Sequence, residues 1–218
     1  MPFSRADAKM EMKTSRRCAL AFTLIELLVV IVIIAILMGL AFPAFQAVQN
    51  QAKKTQAKND LVQIVTAVNA FYTEYGKYPV TDADQGTEKT FSGANKQLMD
   101  ILRSIPGSDP APTDATANKY NLRKIPFLQP PDVKSDTAGN RRSGVSATDG
   151  NYYDPWGGIY FVRIDSDYDN QVANPYSQNA GGATLRNGVI AWSTGKNQTG
   201  GSGDKNSANS SDDVISWQ

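Results

Sequence analysis

The chain has 218 residues, which is room for one domain of ordinary size with an appendage. Its formal net charge of +1 argues against nucleic-acid binding through bulk charge, so no nucleic-acid partner is expected. The lack of histidine removes the usual general base and the commonest metal ligand, and one cysteine, Cys18, cannot form an internal disulfide or a cysteine metal site. These counts favour a protein that is not an enzyme.

The charge is placed asymmetrically along the chain. Five basic and two acidic residues precede Phe22, a net charge of +3, and 17 basic and 19 acidic residues follow, a net charge of −2. A positive segment in front of an apolar stretch directs that end to the cytoplasm and the rest outwards. We therefore expect a cytoplasmic N-terminus and an exported C-terminal part.

The apolar stretch runs from Cys18 to Phe45, and its only consequential polar side chains are Thr23 and Glu26. It is long enough to cross a bilayer as a helix, which we expect over residues 22–45. A buried helix of a soluble domain and a cleaved signal peptide are the alternatives; a signal peptide usually has a shorter apolar core followed by an A-x-A site.

Glu26 is the unusual residue of this stretch, because a carboxylate within a membrane costs about 2.5–3.5 kcal/mol on insertion scales. Either it stays hydrated at the cytoplasmic interface, or it has a positive partner. Cleavage before Phe22 would create an α-amino group four residues away, about one helical turn.

The sequence FTLIELLVVIVIIAIL, beginning at Phe22, resembles the processing and assembly segment of type IV pilins and type II secretion pseudopilins. The resemblance implies a leader over residues 1–21, which a prepilin peptidase removes between Ala21 and Phe22. It also implies N-methylation of the new Phe22 amine and a role for Glu26 in filament assembly. One position departs from the family, which usually has glycine where Ala21 stands.

The stem beyond the apolar stretch is predicted to remain helical. Gly39 and Pro43 predict a kink, because proline removes a backbone donor and crowds the preceding turn. Residues 46–79 form an amphipathic half, and Gly76 and Pro79 supply stop signals. The apolar positions recur every three or four residues, which predicts a stripe packed on the C-terminal domain: Leu61, Val65, Val68, Phe71 or Tyr72, and Tyr75.

Residues 80–150 are rich in turn formers and are interpreted as a variable loop region with one short helix around NKQLMDILRSI and an apolar anchor, KIPFLQPP.

Residues 151–218 contain three strand-like runs, IYFVRID (159–165), NGVIAWS (187–193) and DDVISW (212–217). We expect an α+β fold, in which a long N-terminal helix packs on a small antiparallel sheet, as in pilins. The order of the Asp-Pro-Trp-Gly turn, a strand, Trp-Ser-x-Gly and a glycine-rich loop resembles the major pseudopilins of type II secretion.

The same resemblance implies Ca²⁺ in the loop before the last strand. The matching positions are Asp213 and, less directly, Asp204, and Ser193 would add an oxygen; hard oxygen ligands on a flexible loop suit this ion. A second acidic run, DSDYDN at 165–170, begins like an EF-hand loop but has no glycine at the sixth place and no acid at the twelfth. Solvated turn carboxylates remain the alternative for both clusters.

The expected function is that of a structural subunit. The resemblance implies single-pass insertion in the bacterial inner membrane with a periplasmic C-terminal domain. It also implies filament assembly with other pilins or pseudopilins through an inner-membrane assembly platform. A type II secretion pseudopilus is favoured, and a type IV pilus subunit or a membrane-anchored binding protein are the alternatives.

Overall fold

The computed structural model describes residues 23–104 and 119–218, and within the first helix it leaves aside the side chains of residues 40, 41, 43 and 44. The predicted leader, the cleavage pair Ala21 and Phe22, and residues 105–118 lie outside the described residues. The chain divides into two units, Met1–Ala47 and Val48–Gln218.

The first unit contains the beginning of helix α1, Leu24–Tyr75. Its large apolar side chains from Leu24 to Met38 are 47–87% exposed, and they surround the helix on all sides. Helix is assigned through both Gly39 and Pro43, and the kink predicted there stays a prediction. None of the helices within residues 23–104 and 119–218 combines the length and the apolar character of a membrane crossing.

In its described residues, 48–104 and 119–218, the second unit contains the rest of α1, a short helix α2 (Lys96–Arg103) and ten short strands. The strands are β1 (Lys89–Phe91), β2 (Gly144–Val145), β3 (Tyr152–Tyr153), β4 (Phe161–Ile164), β5 (Val172–Ala173), β6 (Tyr176–Gln178), β7 (Thr184–Leu185), β8 (Val189–Ser193), β9 (Gly203–Asp204) and β10 (Val214–Ile215).

The main sheet has four antiparallel strands in the order β1-β4-β8-β10. Strands β4, β8 and β10 lie within the three predicted runs and are shorter than predicted. Strand β1 was not predicted: it comes from the region interpreted as a variable loop and pairs Phe91 with Val162 at the sheet edge. Three residues carry too little alternation to be recognised without this distant partner.

The stem helix packs on one face of this sheet. Leu61, Val68 and Phe71 of the predicted stripe are fully buried, in one cluster with sheet residues such as Val162 and Ala191. Each fully buried aliphatic or aromatic side chain contributes about 1.5–3 kcal/mol to the free energy of folding through the hydrophobic effect, so this stripe is a major part of the core. The predicted stripe is therefore confirmed as packing surface.

Two details differ from the predicted stripe. Ile64 is fully buried although the stripe omitted it, whereas Tyr72 is 39% exposed and stacks on Tyr78. The stop signal is confirmed: Gly76 adopts a φ of +67°, and its N–H donates to the Tyr72 carbonyl at 2.8 Å. Glycine adopts this left-handed conformation at a helix C-terminus without steric cost.

Part of region 80–150 belongs to the core. Helix α2 buries Leu98, Met99, Ile101 and Leu102. In the segment KIPFLQPP, Leu128 is buried in the core cluster and Phe127 packs against it, as the apolar composition predicts. The backbone N–H groups of Phe127 and Leu128 also donate to the Leu102 carbonyl, at 2.8 and 3.3 Å.

The other face of the sheet is also covered. Alternation along β8 places Val189 and Ala191 in the cluster under α1, and Ile190 and Trp192 in a second cluster with Val172, Tyr176, Ala180 and Ile215. The loops that follow β4 and β8 form this second layer, and they bring the candidate calcium residues close to the sheet.

Candidate functional site

Thr23 and Glu26 form a reciprocal capping box at the start of α1. The Thr23 N–H and hydroxyl both donate to Glu26 Oε2, at 2.8 and 2.6 Å, and the Glu26 N–H donates to Thr23 Oγ1 at 3.3 Å. This pattern pairs two backbone donors that a helix N-terminus otherwise leaves free. The carboxylate is thereby held within one turn of position 22.

The capping box gives Glu26 a local role that the sequence interpretation missed. Its signal is the four-residue pattern Thr-x-x-Glu, which is readable without a structure. Among the described residues, no lysine or arginine forms an ion pair with Glu26. The negative charge of the apolar segment therefore has no cationic partner within the described part of the chain.

Asp154, in the Asp-Pro-Trp-Gly turn, organises a second constellation. The N–H groups of Trp156, Gly157 and Gly158 donate to its Oδ1 at 2.9, 2.7 and 2.9 Å, and the Ser193 hydroxyl donates to its Oδ2. The side chain is completely buried. Burial raises the pKa of Asp154, although all four donors favour the ionised form.

The Ser193 hydroxyl, which the sequence predicts as a calcium ligand, takes part in this hydrogen-bond network. Ser193 Oγ donates to Asp154 and accepts the Gly195 N–H at 3.1 Å. Ser193 ends β8, and Asp154 precedes β4, the neighbouring strand. The hydrogen bond therefore fixes the turn before β4 to the end of β8, and calcium ligation by Ser193 stays a prediction.

Asp213 is 6% exposed, and only one of its two carboxylate oxygens accepts hydrogen bonds from the described residues. Its Oδ2 accepts the Tyr176 hydroxyl at 2.7 Å and the Gly201 N–H at 2.8 Å, whereas its buried Oδ1 has no hydrogen-bond partner among the described residues. Asp212 beside it repeats this pattern: Oδ2 accepts the Asn197 N–H at 2.9 Å, and Oδ1 is buried and unpaired. Burial raises the pKa of Asp213.

Asp204 has a different environment. Its Oδ1 accepts the Asn179 side-chain amide at 2.7 Å and the Asn206 N–H at 2.9 Å, and these hydrogen bonds lower its pKa. It lies on β9, which pairs in parallel with β6. The sequence interpretation missed Asp212, which directly precedes Asp213 in the same loop and is distinguished only by its unpaired oxygen.

The second acidic cluster is compact. Carboxylate oxygens of Asp165, Asp167 and Asp169 lie within 4.8 Å of one another, and only Asp165 is buried. Both oxygens of Asp165 accept backbone N–H groups, from Asp169 at 3.1 Å and Asn170 at 2.9 Å. Burial, with a further contribution from Asp167, raises the pKa of Asp165. We refer to residues 165–169 as the acidic loop.

Comparisons with known proteins found two similarities. Residues 16–42 match the model of the prokaryotic N-terminal methylation motif. The chain is also 32% identical over 111 residues to type II secretion system core protein G of Pseudomonas aeruginosa, an alignment covering 51% of this chain and 68% of that protein. No solved structure matches the chain. With its long N-terminal helix and small antiparallel sheet, the chain belongs to the type IV pilin-like family of pilins and pseudopilins.

Proposed function

We propose that the protein is a structural subunit of a type II secretion pseudopilus. The observation that carries the proposal is the beginning of α1, where apolar side chains are exposed on every side and one carboxylate stands at the start. Such a surface is stable only when lipid or other apolar helices cover it. A membrane covers it before assembly, and the stems of neighbouring subunits cover it in the filament.

Processing supplies the counter-charge of Glu26 in this proposal. Prepilin peptidase cuts between Ala21 and Phe22 and methylates the Phe22 amine, and the amine of one subunit then meets Glu26 of a neighbour. Two charges are tolerated in an apolar environment only when they pair. Glu26 therefore tests the register of each added subunit.

The location follows from the charge asymmetry. The positive leader stays in the cytoplasm, the apolar start of α1 anchors the subunit in the inner membrane, and the second unit lies in the periplasm. An inner-membrane assembly platform adds subunits, and filament extension drives protein export. The role is structural, with no catalytic step of its own.

A type IV pilus subunit is the second candidate, because the methylation motif at residues 16–42 belongs to prokaryotic N-terminal processing in general. The similarity to a type II secretion core protein favours the pseudopilus. Deleting the chromosomal gene distinguishes the two: loss of exported proteins from the medium supports secretion, and loss of surface fibres with normal export supports a pilus.

Intact mass of the protein purified from its native host tests the processing step. We expect the mass of a chain that begins at Phe22 and carries one additional methyl group. Replacing Ala21 with glycine restores the usual family residue and should leave the cleavage site unchanged. A mature protein that retains residues 1–21 would contradict the filament proposal, since the Phe22 amine would then never form.

We further propose that Asp212 and Asp213 hold Ca²⁺. Asp212 and Asp213 are adjacent in sequence, and each has one buried oxygen without a donor among the described residues; a hard divalent cation, which prefers oxygen ligands, would satisfy these oxygens. An unpaired buried carboxylate oxygen otherwise costs about 1–3 kcal/mol or more. The ion would provide positive charge and fix the 194–213 loop against β8 and β10.

Calcium should raise the melting temperature of the detergent-solubilised full-length protein. At 100 times the dissociation constant, one bound ion adds about 2.7 kcal/mol, which corresponds to about 5–10 °C for a domain of this size. Asp213→Asn should abolish this shift, and Asp167→Asn in the acidic loop should preserve it. The site is refuted if calcium stabilises the wild type and the Asp213→Asn variant equally, or stabilises neither.

A further inference from the structure

The second unit carries a basic cleft between the stem helix and the last strand. A cavity of about 400 Å³ lies here and is lined by Gln51, Lys54, Thr55, Lys58, Asn59, Lys205, Asp213, Val214, Ile215 and Gln218. Three lysines against one aspartate give this cleft a net positive charge. We refer to these ten residues as the lysine cleft.

No aspartate or glutamate of the described residues forms an ion pair with any of the three lysines. Lys58 Nζ donates to the Ile215 carbonyl at 2.7 Å and to the main-chain oxygen of Gln218, the last residue of the sequence, and Lys205 Nζ donates to the Ser210 carbonyl at 3.0 Å. These contacts fix the ammonium groups of Lys58 and Lys205, and an α-carboxylate at Gln218 would balance Lys58; Lys54 forms no ion pair among the described residues. Burial lowers the pKa of Lys58, so an approaching anion would be favourable.

The acidic loop carries an excess of negative charge. Asp167 and Asp169 are exposed beside the buried Asp165, and no lysine or arginine of the described residues pairs with any of the three. Three carboxylates within 4.8 Å repel one another and gain from a cation.

The two charged surfaces lie at opposite ends of the outer part of α1. The acidic loop is beside the C-terminal end of the helix, because the Tyr168 hydroxyl accepts the Tyr78 N–H at 3.3 Å and the Tyr168 ring packs near Tyr72. Lys54 precedes Tyr72 by 18 residues, about 27 Å of helix at 1.5 Å per residue. The lysine cleft and the acidic loop of one compact unit therefore cannot meet each other.

We infer that the lysine cleft receives the acidic loop of a second copy of this chain. Opposite charges at opposite ends of one unit make a head-to-tail contact, and a head-to-tail contact that does not close into a ring repeats as an open helical filament. The contact rests on the proposed filament function and assigns one of its subunit interfaces to the globular units. Complementary charge also selects this docking over contacts between like surfaces.

Charge reversal and charge exchange test the contact in cells that make the full-length chain with the peptidase and the assembly platform. Lys54→Glu or Asp167→Lys alone should reduce the amount of sheared filament about fivefold or more. A surface ion pair raises an association constant by up to about fivefold, and reversing one charge adds repulsion to the loss of that pair. The double variant should return to within about twofold of wild type. Lys53→Glu, on the same helix but outside the cleft, should assemble normally.

The results separate the contact from the filament proposal. Single variants that assemble like wild type, or a double variant no better than the worse single one, overturn the contact; the second result is also expected if the acidic loop binds a metal ion. A wild-type chain that forms no filament overturns both proposals.

Cysteine cross-linking gives an independent readout in a Cys18→Ser background. A chain with Lys54→Cys should cross-link to a chain with Asp167→Cys when both are produced together and assembled. Two chains with Lys54→Cys should not, because a head-to-tail contact never places the same residue opposite itself. Cross-linking of the like pair alone would refute the head-to-tail geometry.

Discussion

Asp154→Ala is expected to lower the free energy of unfolding of the globular unit by about 3–5 kcal/mol. The variant leaves three backbone N–H groups and the Ser193 hydroxyl without their acceptor in a fully buried position. Each unsatisfied buried donor costs about 1–3 kcal/mol before water relieves part of the loss. Because a typical domain has only about 5–15 kcal/mol in total, this single change removes a large share. Denaturant unfolding at pH 7 measures it.

Asp154→Asn is the matched control, since it retains an acceptor of similar shape and removes the charge. Burial raises the pKa of Asp154 above its unfolded value, so the folded state holds the proton more tightly. The resulting stability is complete below the unfolded pKa of about 3.9 and is lost as pH rises through the folded pKa. The asparagine variant should lack this part of the pH dependence. A loss below 1 kcal/mol in the alanine variant would contradict the proposed role.

The helical part of the fold was accessible from sequence because its signals are local. Repetition every three or four residues identified Leu61, Val68 and Phe71, and Gly76 marked the end of the helix. The three apolar β runs were recognised for the same reason: each carries its β-branched and aromatic residues within a few positions. The strand bounds were too long, because pairing partners decide where a strand ends.

The polar constellations depend on partners that are distant in sequence. Ser193 lies 39 residues from the carboxylate that engages it, and the buried hydrogen bond from Tyr160 to Asp60 of the stem joins residues 100 apart. No spacing rule connects such positions. The hydrogen bond from Ser193 to Asp154 was therefore not predicted, and calcium ligation by Ser193, inferred from its place in the loop, stays a prediction. The capping box at Thr23 is the opposite case, a local pattern that sequence alone could have revealed.

Glu26→Ala is expected to reduce filament assembly by about 100-fold or more while leaving membrane insertion intact. Without the carboxylate, the Phe22 ammonium of each added subunit would be buried among apolar stems without a partner. Removing one member of a buried ion pair costs about 3–5 kcal/mol, which corresponds to more than 100-fold in an association constant. Membrane fractionation measures insertion, and the amount of sheared filament measures assembly. Insertion should persist because the substitution makes the apolar segment more hydrophobic.

Thr23→Ala separates pairing with the neighbouring amine from capping of the subunit's own helix. The capping box joins Thr23 to Glu26, so both substitutions remove it, but only Glu26→Ala removes the charge. Loss of an N-cap lowers helix stability by about 0.5–2 kcal/mol, and here the membrane environment also stabilises the helix. If Glu26 acts by pairing, Thr23→Ala should assemble close to wild type, provided that intact mass confirms normal cleavage. Equal assembly defects in the two variants would assign Glu26 to helix capping instead. The Thr23→Ala variant keeps the Glu26 carboxylate, so an equal defect would mean that the carboxylate does not promote assembly by pairing.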